Sequence, residues 1–284
     1  MNTALFPEDV RAPLRECCEK AWNVPLATIL PNIEGKKRGL GRRYQEVFET
    51  LEPEAMAAAS IAQVHRATLR RPRGQQVLVK VQHVGVRDAL RADVAILPYL
   101  IQFVDNLDPN HGLRPLMYMI SSMLEQEVDF RIEGANRERL AAIVERSGKS
   151  ERSRYSTLYF PLVMWDYCVE SMMVQEFMEG AVSLGDRDVV EKLGVPFTTA
   201  LAELASFFAE CCFVHGYMHN DLHFGNVLAI AETADVRFEL IIIDHGFHTH
   251  VTYEYRLAWC KVWAGIGLCD EELLKEGCAD FGLE

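Results

Sequence analysis

Positive charge is scarce in this 284-residue chain: 29 Lys and Arg stand against 41 Asp and Glu, a formal net charge of −12. That balance argues against nucleic acid as the main partner and against general attraction to anionic lipid surfaces. Cysteine pairs with redox or metal-ribbon spacing are absent: the eight cysteines include the adjacent pairs Cys17-Cys18 and Cys211-Cys212 but no C-x-x-C. Neighbouring cysteines within apolar helical patterns do not make a secreted disulfide framework, so buried free thiols in a reducing compartment are expected. No uninterrupted run of eighteen apolar residues occurs, and no transmembrane span is expected. The opening residues 1–11 have neither a hydrophobic signal core nor a basic amphipathic transit pattern, which leaves a cytosolic protein or one whose leader is not in this sequence. Internal repeats and low-complexity tracts are also missing. What remains is an ordinary globular composition, 49% apolar and 25% charged, at a length that fills one or two domains.

The densest chemistry lies between His215 and Gly246. It reads His-Gly-Tyr-Met-His-Asn-Asp-Leu-His-Phe-Gly-Asn over 215–226 and, after a polar turn, Phe-Glu-Leu-Ile-Ile-Ile-Asp-His-Gly over 238–246. An Asp followed five residues later by an Asn, then by an apolar strand ending in Asp-x-Gly, is the spacing with which kinase-like sites hold a base and magnesium. Asp221 and Asn226 share one short loop, so one backbone turn can aim both at one point. Asp244 ends a buried strand, where a carboxylate is costly without a metal or cation beside it. The bland reading of each piece is a turn. A second reading, a metal hydrolase, takes His215, His219 and His223 at i, i+4 and i+8, but Gly216 and the Asn220-Asp221 turn interrupt the helix that would align them.

Earlier in the chain, residues 8–30 carry helical periodicity, and 35–43 hold five basic residues among three glycines. The latter is read as a loop of solvated charges, with an anionic-lipid or RNA contact as the alternative. Residues 56–67 and 76–82 predict a hairpin approached by a small-residue loop, whose backbone N–H groups can face phosphate oxygens. Lys80 stands mid-strand between two valines: either an edge-strand lysine that blunts aggregation or a phosphate-directed one. A helix is predicted over 85–108 and a longer one over 113–145. In the latter Glu125, Asp129 and Glu133 would stack on one face and require a facing cation, Arg137 locally or Lys80 across a cleft. Strands are predicted at 157–165 and 171–178, a lobe boundary near 180, and apolar helices over 195–214, stopped by Gly216, and 252–268. The expected division is a helical segment with a basic loop (1–50), an N-lobe (51–179) and a C-lobe (180–284).

With Ala57 to Ala67, Val79-Lys80-Val81-Gln82-His83, Glu127-x-Asp129-Phe130-x-x-Glu133, Gln175 to Gly180, His219 to Asn226 and Asp244-His245-Gly246 all in order, the chain resembles the UbiB (aarF-domain) atypical kinases over roughly residues 55–260. The Asp-His-Gly form is most similar to a branch of mitochondrial proteins with poorly defined substrates. The resemblance implies an α+β, bilobal protein-kinase-like fold: a small β-rich N-lobe with added helices and a shortened helical C-lobe. It implies that Ala57, Ala58, Ala59 and Ser60 cover the nucleotide and that Lys80 contacts ATP phosphates and pairs with Glu133. Asp221 takes the catalytic-base position, Asn226 and Asp244 hold Mg²⁺, and Glu176 to Met178 form the hinge against adenine. Two departures stand out. No Lys-x-Gly-Gln precedes Ala57, so the lysine that the family places against Glu127 is not in this sequence. The prolines of the family's Asp-Pro-His-Pro-Gly-Asn are Leu222 and Phe224 here. A chain shortened at both ends relative to the family is therefore expected.

The function implied by the resemblance is an ATP- and Mg²⁺-dependent ATPase or phosphotransferase linked to coenzyme Q or other lipid metabolism, with a nucleotide-binding pseudokinase scaffold as the alternative. A lipid or isoprenoid ligand, peripheral membrane association and a mitochondrial location follow from the same resemblance, with plastid and cytoplasm as the other locations.

Overall fold

The computed structural model describes residues 23–59, 61–107, 113–147, 156–231 and 238–283. The elements begin with α1 (Leu26–Glu34), β1 (Phe48–Leu51), β2 (Ala57–Ala58), β3 (Ala62–Leu69), β4 (Gln76–Gln82), α2 (Val86–Leu107), α3 (Leu113–Glu127) and α4 (Phe130–Ser147). They continue with β5 (Ser156–Tyr159), β6 (Met172–Glu176), β7 (Val182–Ser183), α5 (Arg187–Lys192), α6 (Phe197–Glu210) and β8 (Tyr217–His219). The last are β9 (Val227–Ala231), β10 (Phe238–Ile242), β11 (His248–His250), α7 (Tyr253–Leu268) and α8 (Glu271–Asp280). The result is a mixed α+β structure in two compact units. One comprises Met1–Ile132 with Leu162–Phe177, the other Glu133–Pro161 with Met178–Glu284. Residues 133–161, read from the sequence within the 51–179 segment, lie in the second unit.

The first unit is built on an antiparallel sheet in the order β1-β3-β4-β6, with β2 also paired to β3. Valine alternation in β4 explains its orientation. Val77, Val79 and Val81 point into a core shared with Ile29 and Ile33 of α1, Leu69 of β3 and Val174 of β6. The period of two then turns Leu78 and Lys80 to the other face. The helix predicted over 8–30 is described only from 26, where Pro25 precedes its first turn, and its earlier part lies outside the described residues. Within the basic loop, Arg38 is folded inward: its guanidinium meets Glu170 at 3.3 Å and its carbonyl accepts from Ser171 Oγ at 2.8 Å.

Two sequence expectations are corrected. The long helix of 113–145 is two helices broken at Val128-Asp129, so Glu125, Asp129 and Glu133 do not stack on one face. The break follows from Phe130, which is buried with Ala62, Val163 and Met173, and from Asp129, whose carboxylate accepts the Arg131 amide at 3.0 Å and so opens α4. The two strands predicted at 157–165 and 171–178 are shorter and belong to different sheets: β5 pairs with β10, β6 with β4. Pro161, without an N–H, and the 3₁₀ turn at Trp165–Tyr167 separate them.

The second unit carries a four-stranded sheet, β5-β10-β9-β7, in which β5 runs parallel to β10, and a two-stranded ladder of β8 and β11. Phe238 and Leu240 of β10 pack with Val227, Ala229, Val190 and Leu204, while Ile242 packs with Leu140, Phe160, Phe207 and Tyr217. Helix α6 passes through a π turn (Cys211–His215) and stops at Gly216, which takes φ 61°. The stretch Phe197–His215 is long and apolar enough by composition to cross a membrane, although Glu203 and Glu210 interrupt its apolar run. Its Ala200, Leu204, Phe207 and Cys211 are core residues of this unit. Thr252 caps α7 by accepting from the Tyr255 amide at 3.3 Å. Helices α7 and α8 approach so closely at Gly265 that a Cβ there would lie 2.7 Å from the Leu274 nitrogen.

Because β10 delivers Asp244, its core anchor can be tested directly. Leu240→Ala should lower unfolding free energy by about 3 kcal/mol through lost burial and a residual cavity. Urea denaturation followed by circular dichroism measures it.

Candidate functional site

In the first unit the alanine-rich stretch is not an open loop but a tight β-hairpin. Met56 donates to the Val64 carbonyl at 2.8 Å and Ala59 to the Ala62 carbonyl at 2.7 Å, with Ala57 opposite Val64 and Ala58 opposite Gln63. Ser60 lies outside the described residues. Val64 in turn faces Lys80, which faces Met173 on its other side, so Ala57, Val64, Lys80 and Met173 form one row across the sheet. Lys80 is therefore on a central strand flanked by β3 and β6, and the edge-strand reading is excluded. Its half-buried side chain holds the ammonium 5.3 Å from the centre of the Phe130 ring, a cation–π contact. Glu176 ends β6 opposite Val77, and its carboxylate accepts from the Leu162 amide at 3.3 Å. Met178 is the first residue of the second unit after this strand.

The Gln63 and His65 side chains, part of the Ser-Ile-Ala-Gln-Val-His run, brace this hairpin from beneath. Gln63 exchanges two hydrogen bonds with the Val24 backbone at 3.0 and 2.9 Å and donates to His65 Nε2 at 2.8 Å. His65 Nδ1 donates to the Glu52 carbonyl at 2.7 Å. Burial holds His65 below the ordinary imidazole range against the opposing pull of that carbonyl. Asp129 of the Glu-x-Asp motif pairs with Arg131 at 2.6 Å, and Arg131 reaches Glu170 at 3.6 Å. Arg131 contacts hold the Asp129 carboxyl below the usual range despite partial burial.

In the second unit one backbone and one side-chain hydrogen bond set the loop of Asp221 and Asn226 beside the end of β10, just before Asp244. The Ile243 amide donates to the Asn226 carbonyl at 3.0 Å, which sets the end of β10 beside the loop. Asn226 Nδ2 donates to the Asp221 carbonyl at 3.1 Å, spanning the loop and leaving its Oδ1 as the remaining polar atom. Asp244 Oδ1 accepts from the Gly246 amide at 3.0 Å, fixing the Asp-x-Gly turn. Asp221 is exposed and Asp244 half-buried. An amide oxygen and a carboxylate form an oxygen donor set, the type that suits Mg²⁺. Glu133, in the first turn of α4, is buried in this unit. Its neighbour Arg137 meets Glu138 at 3.0 Å and also donates to the Phe160 carbonyl.

Two features were not legible in the sequence. A buried chain runs from Tyr217, whose hydroxyl donates to Asn136 Oδ1 at 2.8 Å, through Asn136 Nδ2 to the His245 carbonyl at 3.0 Å, and so ties α4 to the Asp-His-Gly turn. Burial pushes the Tyr217 hydroxyl up to about 12. The other feature is a histidine grouping. His215 pairs with Glu210 at 3.4 Å, and His223 Nδ1 accepts from the Gly225 amide at 3.1 Å. His219 instead lies with His245 and His248, all three buried. The 215/219/223 face does not form: the helix ends at Gly216, the interruption read from the sequence, and β8 begins at Tyr217. Burial holds His219 low and pushes His245 down to about 3 and His248 to about 2, so all three rings are neutral at neutral pH.

The ABC1 atypical kinase-like domain matches residues 32–277. The chain belongs to the ABC1 atypical kinase-like family. AarF domain-containing protein kinase 1 of Xenopus laevis is 33% identical over 271 residues, which cover 95% of this chain and 49% of that protein. A Marinobacter nauticus protein named "Probable protein kinase UbiB" is 29% identical over 85% of this chain and 42% of its own length. The ABC1-family chain thus spans about half the length of these curated relatives. Among solved structures, that of Rv3197 of Mycobacterium tuberculosis in complex with erythromycin superposes with a TM-score of 0.64. It is 25% identical, over 97% of this chain and 65% of that one. The α+β structure is that of a kinase-like ABC1 domain, and the UbiB resemblance holds.

The His65 environment sets a pH dependence. With a folded-state value below the unfolded 6.5, the native state lags in taking up a proton, so the stability present above pH 6.5 is lost as pH falls through the folded value. Unfolding free energy measured between pH 7.5 and about pH 5 should fall more steeply for the parent than for His65→Gln.

Proposed function

We propose that this ABC1-family chain binds ATP with Mg²⁺ and either hydrolyses it or transfers its γ-phosphoryl group. In this reading Lys80 contacts the phosphates and pairs with Glu133, and the hairpin of Ala57, Ala58 and Ala59, with Ser60, covers the nucleotide. Glu176 and Met178 form the adenine hinge. Asp221 orients the attacking hydroxyl or water, and Asn226 and Asp244 hold the metal. Bound Mg²⁺ would neutralise charge on the phosphates. The observation that supports the reading is the hydrogen bonding of the Ile243 amide to the Asn226 carbonyl and of Asn226 Nδ2 to the Asp221 carbonyl, which sets the loop of Asp221 and Asn226 beside the chain that leads to Asp244.

We further propose that ATP use is coupled to a lipid-related process connected with coenzyme Q, with a lipid or isoprenoid as ligand and peripheral association with a mitochondrial membrane. It is carried from the UbiB resemblance alone; the net charge of −12 gives no general attraction to an anionic membrane. A second reading, a nucleotide-binding scaffold without turnover, draws on Leu222 and Phe224, which replace the prolines that would stiffen the loop.

Titration with Mg·ATP should raise the melting temperature, by the equivalent of about 2.7 kcal/mol at a hundredfold excess over Kd. Asp244→Asn should reduce phosphate release by about two orders of magnitude or more. A thermal shift without any phosphate release favours the scaffold, and no shift at millimolar nucleotide defeats both readings.

A further inference from the structure

His219, His245 and His248 come from three separate pieces of chain: β8, the Asp-His-Gly turn and β11. His219 and His248 face each other across the β8–β11 ladder, and their ring centres are 4.5 Å apart. The His245 ring centre lies 5.8 Å from that of His219 and 5.7 Å from that of His248. Exposure is 6%, 3% and 5% for His219, His245 and His248. One nitrogen from each can be chosen so that all lie within 4.8 Å of one another.

The hydrogen bonding around these rings is lopsided. His245 donates from Nε2 to the Ile242 carbonyl at 3.1 Å, and its Nδ1 has no hydrogen-bond partner among the described residues. Neither nitrogen of His248 has one. His219 donates from Nε2 to the Asp244 carbonyl at 2.7 Å and accepts at Nδ1 only a 3.2 Å contact from the Asp221 amide. Each orphaned buried polar atom costs about 1–3 kcal/mol, and three such atoms in one cluster call for a shared ligand. Two of the rings already donate one N–H to a backbone carbonyl, which is how metal-ligating histidines are oriented and polarised.

We propose that His219, His245 and His248 form a binding site for a divalent transition-metal cation, Zn²⁺ foremost, distinct from the oxygen donors of Asn226 and Asp244. Imidazole nitrogens select zinc and its neighbours over magnesium. Nitrogens at the 4.8 Å limit would leave a central ion about 2.8 Å from each, so the rings must close in by about 0.7 Å to reach zinc–nitrogen bonds of about 2.0–2.1 Å. Three protein ligands leave a fourth position for water. The bound ion cross-links β8, the Asp-His-Gly turn and β11, and through the His219–Asp244 hydrogen bond it holds the backbone that presents Asp244. It is a positioning device rather than a reacting centre, and it does not depend on the nucleotide reading.

The test uses the full chain, stripped with chelator and reloaded. Metal analysis should return one equivalent of Zn²⁺, Zn²⁺ should raise the melting temperature, and Co²⁺ should give the visible absorption of a four-coordinate site without a thiolate charge-transfer band. His248→Phe, which keeps a ring stacked on Tyr217, should lose the Co²⁺ absorption and the Zn²⁺ shift while keeping any Mg·ATP shift. No stoichiometric zinc and no response to Zn²⁺ or Co²⁺ in the parent protein overturns the proposal and leaves three packed or hydrated rings. A thiolate band, or unchanged zinc binding by His248→Phe, also overturns it by moving the metal elsewhere. Absence of a Mg·ATP shift in a protein that binds zinc sinks the nucleotide reading alone.

Discussion

One backbone hydrogen bond, from the Ile243 amide to the Asn226 carbonyl, organises the second unit around its chemistry. It couples the end of a deeply buried strand to an otherwise exposed loop. The loop gains the rigidity of a sheet without being buried itself. Apolar packing of Phe238, Leu240 and Ile242 holds the strand, and the strand holds the loop, so the polar residues need spend little of their own hydrogen-bonding capacity on structure.

The first unit solves the matching problem differently. Lys80 is kept on a central strand by the valines on either side of it, whose burial determines which way the lysine faces. Its ammonium meets an aromatic face rather than bulk water alone. Beneath the neighbouring hairpin, Gln63 and His65 use buried side chains to satisfy backbone groups of Val24 and Glu52. Some residues that read as signature in the sequence, Gln63 and His65 among them, thus serve to brace backbone.

Much of this was legible from the chain alone wherever local pattern and burial agree. The valine alternation of 77–81, the stop at Gly216, the cap at Thr252 and the apolar strand ending in Asp244 all follow from neighbouring residues. The failures have a common origin. The continuous helix through Asp129 and the full lengths of the strands at 157–165 and 171–178 were judged from local periodicity. The outcome was decided by the burial of Phe130 against Ala62 and Met173 and by the pairing of β5 with β10, partners about 40 to 80 residues apart in the chain.

By itself, the sequence determined the order and spacing of the motifs, the periodicity of the elements that carry them and membership in a recognisable family, because these are properties of residues a few positions apart. Only the tertiary structure decided that Lys80 sits on a central strand, that Asn136 and Tyr217 reach the Asp-His-Gly turn, and that His219 belongs with His245 and His248 rather than with His215 and His223. The physical reason is that strand pairing and core packing join residues by burial and hydrogen bonding across the chain, and no spacing rule records which distant nitrogen will be left facing which.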